Sequence, residues 1–248
     1  YDGLREDTWV LVQRYFGDAF HIPTSFWSPA KQNASGFFGS HVVQSATNVN
    51  KGYTTIFRLL VKTNAANEKY AYMWRKFCFA TWWHPPNTLR VIGIDLPLES
   101  RVWIEQSLAR LTAAEFAVHP FAIHVVLMEH MIEVYDHAVW FWRDNIRNIE
   151  RTRSARRQDP DHVEIYELAR HAVHSLGMLD MDLIVVSSML VEHKRFLDER
   201  PSLLPDMVSG VRATSRTLWY QMTVLQSLHN ICKPLLHLED EGGCSRAL

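Results

Sequence analysis

The chain has 248 residues, of which 47% are hydrophobic, and this is enough apolar material for one large domain or two small ones. Its formal net charge of −1 gives no overall field for nucleic acid, so we expect no nucleic-acid partner. Cys78, Cys232 and Cys244 show neither zinc-ligand spacing nor a disulfide framework, which indicates a reducing, intracellular compartment.

Residues 1–98 predict a small α/β domain built on a largely antiparallel sheet. Its elements in chain order are a short helix at 4–16, loops with short pieces at 20–40, a strand at 54–62, and a hairpin formed by 77–83 and 89–95. The hairpin follows from two β-rich runs on either side of the turn sequence HPPNT.

Residues 99–232 predict long helices, because apolar residues recur there at alternating steps of four and three. The first series is Phe121, Val125, Met128, Ile132, Tyr135, Val139, Trp142, Ile146 and Ile149. The second is Ile165, Ala169, Ala172, Leu176, Leu179, Leu183, Val186 and Leu190, continued by His193 and Leu197. A weaker third series is Val208, Val211, Ser215, Leu218, Met222, Leu225, His229 and Cys232.

The first two helices should therefore form a long antiparallel, coiled-coil-like hairpin joined at 151–161, along which the third helix returns. Asp159 is a candidate N-cap, and Pro160 and Pro205 suit the first helical position. Residues 233–248 predict an irregular or disordered tail. The overall fold class is α+β. No uninterrupted apolar run reaches 18 residues, so we expect no transmembrane helix in this sequence.

His130, Glu133 and His137 are the first candidate metal site, since they follow one another at i, i+3 and i+7. On the heptad assignment both histidines fall at f and Glu133 at b, furthest from the seam. We therefore expect a solvated or structural role. A metal site requires a second apolar surface to fold something over them. The spacing is not that of a His-Glu-x-x-His metalloprotease.

Further polar candidates lie on the second helix and at the hairpin tip. His171, His174, Asp180 and Asp182 predict a polar helix face, and Asp136 and Asp144 lack the spacing of an aspartate-rich Mg²⁺ motif. The tip carries Arg143, Arg147, Arg151, Arg153, Arg156 and Arg157, which suit either solvation or an anionic partner such as a lipid headgroup, phosphate or acidic chain. The sequence shows no phosphate loop, nucleophile elbow or nucleophile–base pair, so we expect no enzyme.

Several segments together resemble the soluble part of fungal proteins described as CorA-like magnesium transporters. In chain order they are FHIPTSFW, SGFFGS, TTIFRLLVK, FATWWHPPNTLRVIGIDLP, HPFAIHVVLMEHMIEVYDHAVWFWRDNIRNIERTR and IYELARHAVHS, which span most of residues 20–200. The resemblance implies a cytoplasmic sheet domain at 1–98, a helical hairpin with its lead-in at 99–200, and the start of a stalk helix at 205–232. Membrane spans, a pentameric assembly and Mg²⁺ as the ion are further implications.

Two departures qualify these implications, since the Gly-Met-Asn pore signature and both membrane spans are missing from the sequence. We expect a fragment or a soluble relative without a pore, on the cytoplasmic face of a membrane if the full-length protein has spans and cytoplasmic otherwise. The leading hypothesis is an assembly and gating domain that self-associates through its long helices. The alternatives are a helical protein-interaction module, and a metal-dependent enzyme using His130, Glu133 and His137 or a cavity near Asp136 and Asp144. No metal ligand can be named, and Mg²⁺ is the one possible cofactor.

Overall fold

A computed structural model of the chain describes residues 6–24, 27, 35–43, 52–65, 71–84, 88–94, 96–110, 120–156, 162–199 and 204–233, with the side chains at 6–9, 150, 153–156, 162, 164–165, 204–209 and 211 excepted. The elements are α1 (Glu6–Phe20), β1 (Phe37–Val43), β2 (Gly52–Asn64), β3 (Tyr72–His84), β4 (Thr88–Ile94), α2 (Leu98–Ala109), α3 (Ala122–Arg156), α4 (His162–Asp198) and α5 (Leu204–Cys232). A sheet followed by long helices confirms the predicted α+β class.

The four strands form one antiparallel sheet in the order β1-β2-β3-β4. The predicted hairpin is confirmed, since β3 and β4 pair from Cys78 opposite Ile94 to His84 opposite Thr88. The prediction of loops over 20–40 is wrong at its end, where Phe37–Val43 forms the edge strand β1. The Pro, Gly and Ser residues of 20–40 suggested loops, but pairing of the last of these residues with β2 overrides that local preference.

The central hairpin extends beyond its neighbours. β1 pairs with β2 only as far as Arg58, and β4 pairs with β3 only from Cys78. The remaining pairs, from Leu59 opposite Phe77 to Asn64 opposite Tyr72, form a two-stranded ribbon. Two-stranded ribbons twist more strongly than wide sheets, which allows side chains of this ribbon to reach the long helices.

The main core fills the space between one face of the sheet and the long helices. It joins Phe57, Leu59 and Phe79 of the sheet to side chains of all three long helices, so residues on both sides of the predicted boundary at 98 share one core. A smaller cluster on the opposite face places Ile56 and Ala80 beneath α1. The sheet is therefore covered on both faces. The predicted tail lies outside the described residues from 234 onward.

The long helices have 35 residues in α3 and 37 in α4, as the apolar period predicts. Both pack on β2, and α5 packs along both of them. Burial therefore extends beyond the predicted heptad seam. On α3 the seam residues Met128 and Tyr135 are buried, but so are Leu127 and Met131, because one helix faces both the sheet and α5. Pro205 lies in the first turn of α5, while Asp159 and Pro160 lie outside the described residues.

Within α4, Tyr166–Asp198 is long and apolar enough to cross a membrane, by length and composition alone. Of the apolar stretch within it that meets this criterion, 33% is buried inside the protein. The core helix of a soluble protein passes the same test of length and composition. Here α4 packs on the sheet and on α5.

Candidate functional site

The densest group of chemically active side chains lies where the ribbon meets α4. We name it the ribbon cluster, and it comprises Lys62, Tyr72, Trp74, Trp142, Glu167, Arg170, His171 and His174. Lys62 is only 1% exposed. Its Nζ lies 2.9 Å from Nδ1 of His174 and 3.9 Å from the centre of the Tyr72 ring. Because an ammonium can only donate, Nδ1 of His174 accepts and its proton is on Nε2.

His171 forms the wall of the cluster between α3 and α4. The prediction that it lies on a polar helix face is wrong, since it is fully buried. Its ring lies parallel to that of Trp142, with centroids 4.1 Å apart and planes 5° apart, and it meets the Tyr72 ring at 5.1 Å. Neither ring nitrogen of His171 has a hydrogen-bond partner among the described residues.

Positive charge dominates the ribbon cluster. Burial, then the Arg170 charge, lowers the pKa of Lys62 to about 8. Burial, then the charges of Lys62 and Arg170, lowers the pKa of His171 to about 4. Glu167 offsets part of this charge through its ion pair with Arg170. A site with two cations, one carboxylate and neutral imidazoles repels a metal cation and suits an anion.

A second polar centre joins the sheet to α4 at Glu192. Its carboxylate accepts hydrogen bonds from Ser40 of β1 and Tyr53 of β2. Arg195, one turn further along α4, donates from Nε over 2.8 Å. Burial alone would raise the pKa of Glu192, but the hydrogen bonds outweigh it and hold the pKa at about 2. The carboxylate is therefore charged at neutral pH and fastens α4 to the edge of the sheet.

A groove of about 590 Å³ opens beside Glu192, between β1 and α4. Its lining includes Phe38 and Ser40 on the strand side and Ile184 and Val191 on the helix side. Ile184 is 57% exposed and Val191 is 70% exposed, although both are large apolar side chains. The groove is therefore a surface suited to a macromolecular partner.

Buried histidines recur on the inner faces of α3 and α4, at His124, His130, His171 and His193. Burial lowers the pKa of His124 to about 3 and that of His193 to about 4. His124 shares a hydrogen bond of 2.8 Å with Thr55 of β2, and His193 lies 3.2 Å from the Ser215 hydroxyl of α5. These rings are neutral packing groups that link separate elements.

His130, Glu133 and His137 do not gather around one point. Of the two expected roles, solvated or structural, His130 has the structural one, since it is buried with its ring stacked on Trp103 of α2 at 4.7 Å. Its Nδ1 lies 3.8 Å from a carboxylate oxygen of Glu133, while His137 is exposed. The second apolar surface that the sequence suggested does exist, since α2 folds over this face of α3, but it covers only one of the two histidines.

The candidate aspartates of α3 and α4 do not gather around one point either. Asp182 is fully buried, whereas Asp180 is exposed and pairs with His229 of α5 at 2.9 Å. Asp136 accepts a hydrogen bond of 3.0 Å from the Trp140 indole, and Asp144 lies 4.0 Å from Arg143. Within the described residues, no group of three His, Cys, Asp or Glu side chains is placed to hold a metal ion.

The hairpin tip is described in part. The Arg143 guanidinium lies over the Trp140 ring at 4.2 Å, and Arg147 and Arg151 are exposed. The side chains of Arg153 and Arg156, and residue Arg157, lie outside the described residues. An anionic partner at the tip stays a prediction.

The sequence interpretation missed Lys62 and Glu192. A lysine inside the β-rich run TTIFRLLVK is a visible signal, because lysine is rarely buried without a partner. Its contact with His174 spans 112 residues, and that of Tyr53 with Glu192 spans 139. Such pairings depend on how the helices cross the sheet, which local spacing does not reveal.

Comparisons with known proteins find no family model and no curated protein that match the chain. Among solved structures, the chain is similar to the crystal structure of the ZntB cytoplasmic domain from Vibrio parahaemolyticus RIMD 2210633. The identity is 10% and the TM-score 0.43, over 93% of this chain and 84% of that chain. A similarity at this level does not assign the chain to a family.

Proposed function

We propose that the chain is the cytoplasmic domain of a CorA-like divalent metal-ion transporter, with Mg²⁺ as the transported ion and a role in assembly and gating. The observation that carries the proposal is the order of the fold. An antiparallel sheet comes first, α3 and α4 then pack on it, and α5 returns along both. This is the order that the sequence resemblance over residues 20–200 implies.

The contacts between layers support a role in transmitting movement. The Tyr135 hydroxyl of α3 donates to the Leu60 carbonyl of β2 over 2.7 Å, and Glu192 fastens α4 to the sheet. Gln221 of α5 donates to the Val125 carbonyl of α3 over 2.8 Å. Such contacts are either made or broken, so a shift of the sheet would pass to α5 in discrete steps rather than by gradual bending.

Mg²⁺ is the cargo in this proposal and is also proposed to bind this domain, and no described residue is assigned to it. Limited proteolysis and sedimentation velocity of the chain, with and without Mg²⁺ at constant ionic strength, test the proposal. Binding to the folded domain should slow cleavage and increase the sedimenting mass without any turnover. Cleavage and mass that do not respond to Mg²⁺ would count against it.

Sequencing the native transcript beyond residue 248 provides an independent test. The transporter proposal expects two hydrophobic spans downstream of α5. A stop codon close to Leu248 would contradict it and favour the alternative of a protein-interaction module.

The interaction module is the second candidate, and the groove between β1 and α4 favours it. Val173, three turns before Ile184 on the same side of α4, is a further exposed apolar side chain beside Ile184 and Val191. Exposed apolar side chains along one helix face are typical of a docking surface. The same surface would serve self-association in the transporter proposal.

The metal-dependent enzyme is tested by elemental analysis of the chain and of the His130→Ala and His137→Ala variants. The enzyme alternative requires stoichiometric metal that both substitutions remove. Equal metal content in all three proteins is the outcome we expect, because the His130 ring is packed against Trp103 and His137 is exposed.

A further inference from the structure

We propose that the ribbon cluster is a binding site for a phosphate group, either free or carried by a small phosphomonoester. This site does not depend on the proposed transport function, because its charged groups lie on the ribbon and on α4. Trp142 of α3 forms the wall behind them.

The cluster holds more hydrogen-bond donors than acceptors. Arg170 contacts Glu167 through Nη2, while its Nε is buried without a partner among the described residues. His171 has two buried ring nitrogens without partners in the same part of the chain. Buried polar groups in folded proteins nearly always find partners, so the Nε–H of Arg170 and the single N–H of the neutral His171 ring call for an acceptor. The Glu167 carboxylate is already paired with Nη2 of Arg170, so it satisfies only part of this need for acceptors.

The arrangement of charges fits phosphate and disfavours a metal ion. The planar guanidinium of Arg170 and the compact ammonium of Lys62 are the two groups that proteins use for phosphate oxygens. With Glu167 they sum to one positive charge. The Nε2–H of His174 can donate to a phosphate oxygen, because its Nδ1 accepts from Lys62. Burial and, after it, the Arg170 charge lower the pKa of Lys62.

A ligand can approach from the rim of the cluster. Tyr72 is 38% exposed, and Arg170 and His174 are half-buried, whereas Lys62 lies at the floor. The rim thus offers the Arg170 guanidinium and the His174 imidazole to solvent, with the Lys62 ammonium behind them. The faces of Tyr72 and Trp74 flank the ammonium and could pack against a ring carried by a phosphomonoester.

Isothermal titration calorimetry of the chain at pH 7 tests the site, with inorganic phosphate and phenyl phosphate as separate probes at constant ionic strength. We expect saturable binding at one site. Arg170→Gln should weaken it about tenfold, the equivalent of one charged hydrogen bond. Tighter binding of phenyl phosphate indicates a phosphomonoester, and equal binding indicates free phosphate.

The matched control is Arg101→Gln, which removes an arginine from a surface pair with Glu105 on α2 and should leave binding unchanged. Circular dichroism checks that each variant is folded. Lys62→Met removes the buried ammonium and should abolish binding. If this variant does not fold, the half-exposed Arg170 decides the question. Absence of saturable binding, or equal binding by the Arg170→Gln and Arg101→Gln variants, would overturn the proposal.

Discussion

Tyr53, on the second strand of the sheet, donates its hydroxyl proton to the carboxylate of Glu192 on α4. The acceptor is charged and only 13% of its side chain is exposed, so the bond lies where water competes weakly. Ser40 on the edge strand donates to the same oxygen. One carboxylate thus joins two neighbouring strands to the longest helix.

Glu192→Gln should lower the free energy of unfolding at pH 7 by about 1.5–3 kcal/mol, because hydrogen bonds to a charged group are lost or weakened. Urea unfolding followed by tryptophan fluorescence measures the change. Glu199→Gln is the control, since Glu199 is exposed and pairs with the same Arg195, and its effect should stay within about 0.5 kcal/mol. Equal effects of the two substitutions would show that the contacts to the sheet do not contribute.

The contribution of Glu192 should also depend on pH. Its pKa in the folded chain is about 2, below the ordinary value of 4.5. The unfolded chain therefore binds the proton more readily, so the stabilisation is fully present above pH 4.5 and is lost as the pH falls through about 2. Unfolding curves of wild type and Glu192→Gln should converge over that window. A difference that stays constant down to pH 2 would contradict the assignment.

The fold was largely predictable because its signals are local. Alternation and turn residues mark the β3–β4 hairpin, and the apolar period marks helices long enough to cover the sheet. The strand β1 was missed since its glycine and serine favour a turn, and only the neighbouring β2 makes the segment extended. The heptad count placed His130 and His171 outside the core because it assumed one packing surface, whereas each helix meets two.

The ribbon cluster depends on contacts between distant residues, which a single sequence does not reveal. Lys62 and His174 meet because the ribbon extends beyond β1 and β4 and because α4 crosses it. Both conditions arise only once the strands have paired and α4 has packed on them. The candidate trio of His130, Glu133 and His137 is divided for a related reason. The spacing fixes which residues share a helix face, but α2 decides which of them become buried.

His171→Phe should reduce the acid sensitivity of the fold. The pKa of His171 is about 4 in the folded chain and ordinarily 6.5, so its contribution to stability is complete above pH 6.5 and is lost as the pH falls through about 4. Phenylalanine keeps the stack on Trp142 and cannot take a proton. The slope of unfolding free energy against pH between 4 and 6.5 should fall by up to about 1.4 kcal/mol per pH unit.

The control for this slope is His137→Phe, which changes an exposed histidine on α3. Its slope should match that of wild type, because the substitution leaves the buried His171 ring in place. The buried rings of His124 and His193 remain in each variant, so some acid sensitivity should persist. If His171→Phe leaves the slope unchanged, the ring is not kept neutral by burial.

Asp182→Asn should raise stability at neutral pH, the opposite of the usual effect of altering a buried residue. Burial raises the pKa of Asp182 well above its ordinary 3.8, and the neighbouring Tyr135 only partly opposes this. The folded chain thus holds the proton more tightly than the unfolded chain, so stability falls as the pH rises above 3.8. Asparagine removes that cost, and thermal unfolding at pH 8 should show a melting temperature about 2–4 °C higher. The gain should vanish near pH 3, and a destabilised variant at pH 8 would refute the argument.

Ile184→Glu combined with Val191→Glu should abolish self-association without unfolding the chain. Both side chains are exposed on α4 beside the groove, so charging them leaves the core intact but makes a shared apolar interface unfavourable. Sedimentation velocity over a concentration series should show a mass that rises for wild type and stays monomeric for the variant. Val102→Glu on α2 is the control, because Val102 is an exposed apolar residue (43%) away from the groove and should leave the association unchanged. If the double variant associates like wild type, the contact between copies lies elsewhere on the long helices.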